Sequence, residues 1–501
     1  MSPYLLGIDS GNTSTKAVVV DKEGYERGVG SVNNQQMNPH PRWVEQDMNI
    51  VWESTQTAVR DAILAAGIEG SEISAVGMSG HGDGIYLVDA NGEPVRAGIQ
   101  SMDSRAHQLL ARWDESGVGD KVLQFNGQRP FAALPPVLLA WFKENQPEVL
   151  ERTRWAVYVK DWVRYKLTGE FATDPSEASS GFTDVRTQDY SDEAFSIYDL
   201  EEVREMLPPI VGCTETVGGV TEEAAGLTGL KAGTPVVAGA HDVDCSSVGV
   251  GCMRPGDLTM IAGTWSINEV VNDEPTFVEG AACRNFVEPG LYLNMSASPA
   301  SATNLEWFVQ RMCPMEVKTS KEIGASPFAF VNREVEAVMN EEPRVFYHPF
   351  LYASPHGDDA TGGFFGLRGW HTRGHVLRAL LEGTVFNHKT HVDILRNAFD
   401  VKRIRLTGGG SSSHVWSQMF ADALNETVEV TGAGETGALG AALCAGVGTG
   451  VYDSLGDATD NVIRKFRTHE PDTRNSKRYA EAYETYMGLV AALGPVWPRT
   501  G

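Results

Sequence analysis

The opening segment constrains this chain more than any other. Tyr4-Leu5-Leu6-Gly7-Ile8-Asp9 is an apolar run that ends on an acid. A turn of small polar residues follows, Ser10-Gly11-Asn12-Thr13-Ser14-Thr15, and Lys16-Ala17-Val18-Val19-Val20-Asp21 re-enters a β-branched run. The pattern predicts a hairpin of strand, tight polar turn and strand. Gly11 and the small hydroxyl residues leave room for backbone N–H groups and hydroxyls to close on an anion. Asp9, at the strand end, is placed to face a cation carried by that anion. A magnesium-bound polyphosphate has both parts. The other reading of the same residues is a hairpin with a buried acid.

A second turn narrows the choice. Arg405-Leu406-Thr407-Gly408-Gly409-Gly410-Ser411-Ser412-Ser413 leads into the apolar pattern from His414 to Ala423, predicting strand, glycine-rich turn and helix. Helix N-termini preceded by small residues bind anions, and adjacent glycines let a nucleotide lie against the backbone. Two such turns, far apart in the chain and each after a strand, suggest two similar halves closing on one nucleotide.

With these turns in place, the chain resembles the FGGY carbohydrate kinases of the actin/Hsp70/hexokinase-like superfamily. The family's first phosphate loop, GIDxGTTxxK, is matched by Gly7 to Lys16, with Asn12 in place of the usual first Thr. Trp43-Val44-Glu45-Gln46-Asp47 with Trp52, Gly80-His81-Gly82-Asp83-Gly84 and Met102-Asp103-Ser104-Arg105 follow in family order, the last two as sugar-contact segments. Lys160–Gly169 and Thr173–Ser179 match the middle of the family pattern. Gly239-Ala240-His241-Asp242 matches the segment of the catalytic base, and Gly263-Thr264-Trp265 the second phosphate loop. Gly408 to Asp422 matches the adenosine segment, and Glu435 to Ala442 the helix after it. Within the family the chain is most similar to the L-xylulose/3-keto-gulonate and erythritol kinases.

The resemblance implies an α/β fold of two actin-like (ribonuclease H-like) domains with a catalytic cleft between them. Turn-rich Gly251–Gly256 marks the boundary, giving an N-terminal domain over 1–250, a C-terminal domain over 251–448 and a helical packing segment over 449–501. Such a division suits 501 residues, too many for one core. Strands are expected at Tyr4–Ile8, Ala17–Val20, Ser74–Met78, Gly84–Val88, Leu258–Ile261 and Arg403–Leu406. Helices are expected at Ile50–Ala66, Ser104–Glu115, Thr372–Ala398 and Arg478–Leu493, and Asp89-Ala90-Asn91-Gly92 signals a hairpin turn.

The resemblance also implies ATP and Mg2+ as cofactors. Asp9 is expected to hold the metal, through water, with Asp242 beside it. Asn12, Thr13 and Lys16 from the first loop and Gly263 and Thr264 from the second are expected at the terminal phosphate. Gly409 and Gly410 are expected at the inner phosphates, with Ser413 and Gln418 near the nucleoside. Phosphoryl transfer asks mainly for positioning and charge neutralisation, and a carboxylate accepting the sugar proton adds to it. Asp242 is the candidate base, with Asp244 its competitor; the bland alternative is that Asp242 caps the following helix. His81, Asp103 and Arg105 are candidate sugar contacts, with Trp265 as an aromatic wall. Many family members carry Gln at His81, and His is shorter and able to carry charge. An Asp103–Arg105 salt bridge and a core Trp are the bland alternatives.

The 41 basic and 66 acidic residues leave a formal charge of −25, which opposes association with nucleic acid or anionic membrane. The six cysteines form no C-x-x-C pair and read as reduced thiols. With no apolar leader at Met1, the expectation is a cytoplasmic protein whose partner is a small sugar or polyol; a homodimer is left open. The expected activity is phosphorylation of a small sugar such as L-xylulose, with an erythritol-type polyol as alternative substrate. An actin- or chaperone-like ATPase would share the phosphate loops but not Gly80–Asp83, Met102–Arg105 and Asp242. A non-catalytic sugar-binding regulator would have no use for Asp9, Thr13 and Asp242 together.

Overall fold

The computed structural model describes residues 4–341, 345–357 and 359–499. Its opening hairpin forms as the sequence dictates: β1 (Tyr4–Ser10) and β2 (Ser14–Asp21) pair antiparallel, with Asp9 opposite Lys16. β3 (Glu26–Asn33) completes a meander, and β4 (Ile73–Gly80) runs parallel to β1. β5 (Thr216–Gly219) and β6 (Pro235–Val237) extend the sheet, and the short β7 (Ala240–His241) pairs with the end of β4. The strand order is β5-β6-β4-β1-β2-β3.

A second seven-stranded sheet repeats the plan. It contains β8 (Asp257–Ala262), β9 (Ser266–Asn272), β10 (Ala282–Asn285), β11 (Tyr292–Ser298), β12 (Arg403–Thr407), β13 (Val428–Thr431) and β14 (Lys465–His469). Their order is β10-β11-β9-β8-β12-β13-β14. In each sheet an antiparallel meander of three is followed by two strands parallel to its first: β3-β2-β1-β4-β6 in one, β11-β9-β8-β12-β13 in the other. This is the duplicated α/β fold that the sequence implied. The two polar turns, Gly11–Thr13 after β1 and Gly263–Trp265 after β8, are equivalent positions of the two halves.

The helices that matter here are α1 (Met48–Ala66), α2 (Val159–Thr168), α3 (Asp242–Val250), α4 (Arg373–Arg396), α5 (His414–Leu424), α6 (Thr436–Gly448), α7 (Leu455–Val462) and α8 (Thr473–Leu493). Asp47 caps α1 by accepting from the N–H groups of Asn49 and Ile50, and Gly67 ends it in the left-handed region. The helix expected from Ser104 begins only at His107.

One expected hairpin forms in shortened form, and one expectation needs correction. The Asp89–Gly92 turn closes a short hairpin, in which Val88 bridges Pro94, Asp89 N donates to the Glu93 carbonyl and Val95 N to the Leu87 carbonyl, while Tyr86–Val88 pairs with Trp155–Val157. Proline has no N–H to continue a ladder. The segment after 448 is not purely helical: between α7 and α8 it contributes β14, an edge strand whose alternation is too polar to read as a strand.

The halves meet along α3 and α6. A Cβ on Gly249 would lie 2.0 Å from the Thr436 carbonyl oxygen, and one on Gly440 1.9 Å from that of Cys245. α6 also lies on the first sheet, where a Cβ on Gly7 would meet the Ala438 oxygen at 1.7 Å and one on Gly77 the Ala441 oxygen at 1.8 Å. One hydrophobic cluster spans the seam, from Leu5 and Val237 through Leu439 and Leu443 to Val271 and Phe286. Overpacking of such backbone contacts is destabilising. Gly7→Ala is therefore expected to lower unfolding free energy by about 1–3 kcal/mol in denaturant titration. Gly226→Ala, in a helix with nothing within 4 Å of the added carbon, should instead gain up to about 1 kcal/mol. Equal effects at both positions would remove the packing argument.

Candidate active site

Asp9, one residue before the end of β1, faces the seam. Ser79 Oγ donates to its Oδ1 at 3.2 Å, and α6 begins so close that a Cβ on Gly437 would sit 2.8 Å from Oδ2. Burial, then the charge of Asp242, push the Asp9 pKa up to about 7 from 3.8, against the opposing pull of Lys16. Lys16 Nζ is itself paired with Glu435 at 2.6 Å. A carboxylate held up in this way is relieved by a cation, so the residues present fit a bound divalent metal. Among the described residues no group of three or more His, Cys, Asp or Glu side chains gathers as a metal site.

Asp242 is the first residue of α3, directly after β7. The helix-capping position belongs to His241, whose side chain makes no capping bond. The two candidate bases are separated by exposure: the Asp242 side chain is 34 % exposed and that of Asp244 is 1 %. His241 stands between them, with Nε2 3.1 Å from Asp242 Oδ1 and Nδ1 3.3 Å from Asp244 Oδ2. Burial alone would keep His241 neutral, but the adjacent Asp242 and Asp244 carboxylates outweigh it and hold the pKa well above 6.5. Burial raises the Asp244 pKa.

His81 has the opposite environment. Its burial lowers the pKa, so the ring is neutral rather than charged. Gln46 donates to the Tyr86 hydroxyl, which leaves the Tyr86 proton for His81 Nε2 at 3.1 Å and Nδ1 for the Gly82 carbonyl at 3.2 Å. Gln46 in turn accepts from Gln100 Nε2 at 3.0 Å, and Gln100 donates to the Asn12 carbonyl at 3.0 Å. Asn12 Nδ2 donates to Ser101 Oγ at 2.9 Å. A chain of amides therefore joins the first polar turn to the His81 segment.

The other expected residues divide. Thr13 and Thr264 are exposed at the tips of their turns, Gly263 is half-buried, and its carbonyl accepts from Ala302 N at 2.9 Å. Trp265 is half-buried beside them. Gly409 is open, with nothing within 4 Å of an added Cβ, while Gly410 is packed on Ala262. Both lie in a single turn of 3-10 helix, Gly409–Ser412, before α5. Ser413 is spent as the cap of α5, accepting from Trp416 N at 3.2 Å and donating to Asn332 Oδ1 at 2.8 Å. Gln418 is tied to the C-terminal segment, donating to Asp422 Oδ1 at 2.9 Å and the Glu470 carbonyl at 2.8 Å. Asp103 and Arg105 form the salt bridge given above as the bland alternative. Both side chains are inaccessible, Asp103 also accepts from Val44 N at 2.7 Å, and Arg105 reaches Glu45 at 2.6 Å beneath Trp43. This leaves Asp103 no free oxygen for a sugar hydroxyl without rearrangement.

The halves also touch across the sugar segment. Arg284, on β10 of the second sheet, donates from Nη2 to Asp83 Oδ1 at 3.0 Å and from Nε to Gln128 Oε1 at 3.1 Å, and all three residues are buried. Sequence reading missed Arg284, Gln128 and Gln100. None lies in a glycine-rich turn, and only Gln100, next to the Met102–Arg105 segment, had a signal nearby.

Residues 4–249 match the N-terminal domain of the FGGY family of carbohydrate kinases, and residues 258–449 its C-terminal domain. The chain belongs to the FGGY carbohydrate kinases. The L-xylulose/3-keto-L-gulonate kinase of Escherichia coli (strain K12) is 34% identical over 98% of this chain and 98% of its own. A probable L-xylulose kinase of Pasteurella multocida is 31% identical over 98% and 99%. Among solved structures, the xylulose kinase from Rhodospirillum rubrum superposes with a TM-score of 0.86 at 26% identity, covering 99% of both chains. The FGGY kinase is thus an enzyme that uses ATP to phosphorylate a small sugar substrate. No helix among its described residues is long and apolar enough to cross a membrane.

The Asp9 environment makes a test. An acid whose folded pKa lies above its unfolded value of 3.8 costs stability as pH rises from there to about 7, and the cost is constant beyond. In metal- and nucleotide-free protein, Asp9→Asn should melt above wild type at pH 8. The gap should close toward pH 4, followed by differential scanning fluorimetry. A gap independent of pH would show that Asp9 is not held protonated by its surroundings.

Proposed function

We propose that this FGGY kinase transfers the terminal phosphoryl group of ATP to a terminal primary hydroxyl of a small open-chain ketose of the L-xylulose type. The observation that carries the reading is the exposed Asp242 carboxylate at the start of α3. Its charge reaches Asp9, and its side chain is 34 % exposed where that of its competitor Asp244 is 1 % exposed. The named activities of the two most identical relatives above support the sugar class.

In this reading the lobe over 1–250 holds the sugar and the first phosphate turn, and the lobe over 251–448 holds the nucleotide. Asn12, Thr13, Gly263 and Thr264 donate to the terminal phosphate from opposite lobes. Gly409 and Gly410 let the backbone approach the inner phosphates, and the N-terminus of α5 favours their charge. Lys16, bridged to Glu435, adds positive potential at the turn. Asp9, with Asp242 beside it, would hold Mg2+, which supplies neutralisation of phosphate charge when bound. Asp242 accepts the hydroxyl proton as the sugar oxygen bonds to phosphorus and ADP leaves. His81 and Tyr86 shape the sugar side with a neutral, fully hydrogen-bonded wall, and Trp265 covers the ligand from the second lobe. The buried salt bridge of Asp103 and Arg105 holds the Trp43–Glu45 segment against that wall. Six buried, unpaired cysteines and the need for ATP both suit the cytoplasm.

Asp242→Asn is expected to lower kcat by about 10²–10⁴-fold while nucleotide affinity, measured by calorimetry, stays near wild type. A coupled assay across pentuloses, hexuloses, pentitols and tetritols should give the highest kcat/KM with L-xylulose. A site built to bond hydroxyls rejects analogues lacking or inverting one by up to about 10⁴-fold. A wide preference for erythritol would overturn the ketose assignment, and near-normal turnover by Asp242→Asn would overturn the base.

A further inference from the structure

Two motif segments have so far had no chemical task, Lys160–Gly169 and Thr173–Ser179. The fold brings them together beneath the turn that carries Asp242. Lys160 Nζ donates to Asp161 Oδ1 at 2.7 Å and contacts Asp174, and Arg164 Nη1 lies 3.0 Å from Asp161 Oδ1. All four side chains are inaccessible to solvent. Burying charges is expensive, and apolar packing would serve stability as well or better. The cluster is better explained by what it grips.

It grips both ends of the Ala238–His241 turn. Arg164 Nη1 donates to the Ala238 carbonyl at 3.0 Å. Asp174 accepts from Ser176, and Ser176 Oγ accepts from the backbone N–H of His241 at 3.0 Å. The His241 ring is then enclosed on three sides: Asp242 Oδ1 lies 3.1 Å from Nε2, Asp244 Oδ2 lies 3.3 Å from Nδ1 without a hydrogen bond, and the backbone of Gly82 is so near that a Cβ there would fall 2.2 Å from Nε2. Only glycine at 82 leaves room for the imidazole. Among the described residues no other side-chain donor reaches the Asp242 carboxylate.

Resting on Asp242 as proton acceptor, we infer that His241 is the positioning residue of this base. Its Nε2–H holds Oδ1 and leaves Oδ2 turned to the sugar hydroxyl, while the buried Lys160–Asp161–Arg164–Asp174 cluster, through Ser176, fixes His241 itself. A carboxylate torsion is otherwise broad and two-fold, and a reacting group must be held within a fraction of an ångström to be productive. A single donor on one oxygen removes that freedom without occupying the reacting atom.

The test separates the two ring nitrogens. The amide nitrogen of Gln falls where Nε2 of His lies, and that of Asn falls near Nδ1. His241→Ala and His241→Asn should lower kcat by about 10–100-fold, the cost of a small misplacement. KM for L-xylulose and for ATP should stay within about threefold in both variants, because positioning the base acts on the chemical step and not on uniform binding. His241→Gln should recover most of the lost kcat. Calorimetric ADP affinity reports whether each variant is folded. Should the His241 variants not fold, Ser176→Ala, which frees only the backbone of His241, should lower kcat with KM unchanged. Equal losses in Gln and Asn, or losses that appear in KM instead of kcat, overturn the inference. Asp242→Asn is assayed alongside: if it is inactive while every His241 variant turns over at the wild-type rate, the positioning role alone falls. If Asp242→Asn is active, the base assignment falls first.

Discussion

Everything chemical in this molecule depends on the direct backbone contact between α3 and α6. At Gly249 and Gly440 each helix rests on the other's carbonyl oxygens, and at Gly7 and Gly77 the first sheet rests on α6 in the same way. Backbone meets backbone at these glycines, and the N-terminal ends of both helices lie by Asp9, one residue before the end of β1. Helix N-termini carry partial positive charge and free N–H groups. A site for a heavily anionic nucleotide can thus be built in a chain of formal charge −25 with few local cations. The contact also couples the halves mechanically: a shift of α6 moves the floor under Asp9 and the flank of Asp242 together.

Around that point burial and partners push like groups apart. Two histidines within the same segment pair take opposite states, His81 neutral through burial and His241 charged through its two aspartates. Two aspartates two residues apart also diverge, Asp242 open and Asp244 enclosed. For the aspartates the divergence is one of exposure, which separates a carboxylate that a ligand can meet from one that it cannot. Here it comes from the backbone: a strand of two residues, β7, ends in a helix, so residues 242 and 244 leave the same turn in different directions.

The sequence carried the fold because glycine-rich turns and β-branched runs are local signals. The hairpin at Asp9 and the Gly408–Gly410 turn were both legible for that reason. The candidate site was legible only in part. Gln418 and Ser413 lie in the right motif, yet one is bound to the C-terminal segment and the other caps its helix. Those partners are remote in sequence or satisfied by backbone. Asp103 illustrates the same limit, since its oxygens are taken by Arg105 and by the Val44 N–H. Arg284 was invisible, being an arginine on an edge strand whose meaning comes from Asp83 in the other half.

The strand β14 shows what the last fifty or so residues do for solubility. It closes the second sheet along β13, whose four residues are all buried. Gln418 and Asp422 then pin the chain at the Glu470 carbonyl and the Asp472 N–H. A sheet edge left bare is a template for pairing with other chains. A protein clipped in the loop after α6 would keep both polar turns and Asp242, yet leave the outer edge of Val428–Thr431 without its partner strand. Limited proteolysis there would yield a chain that self-associates before it loses the elements of its active site.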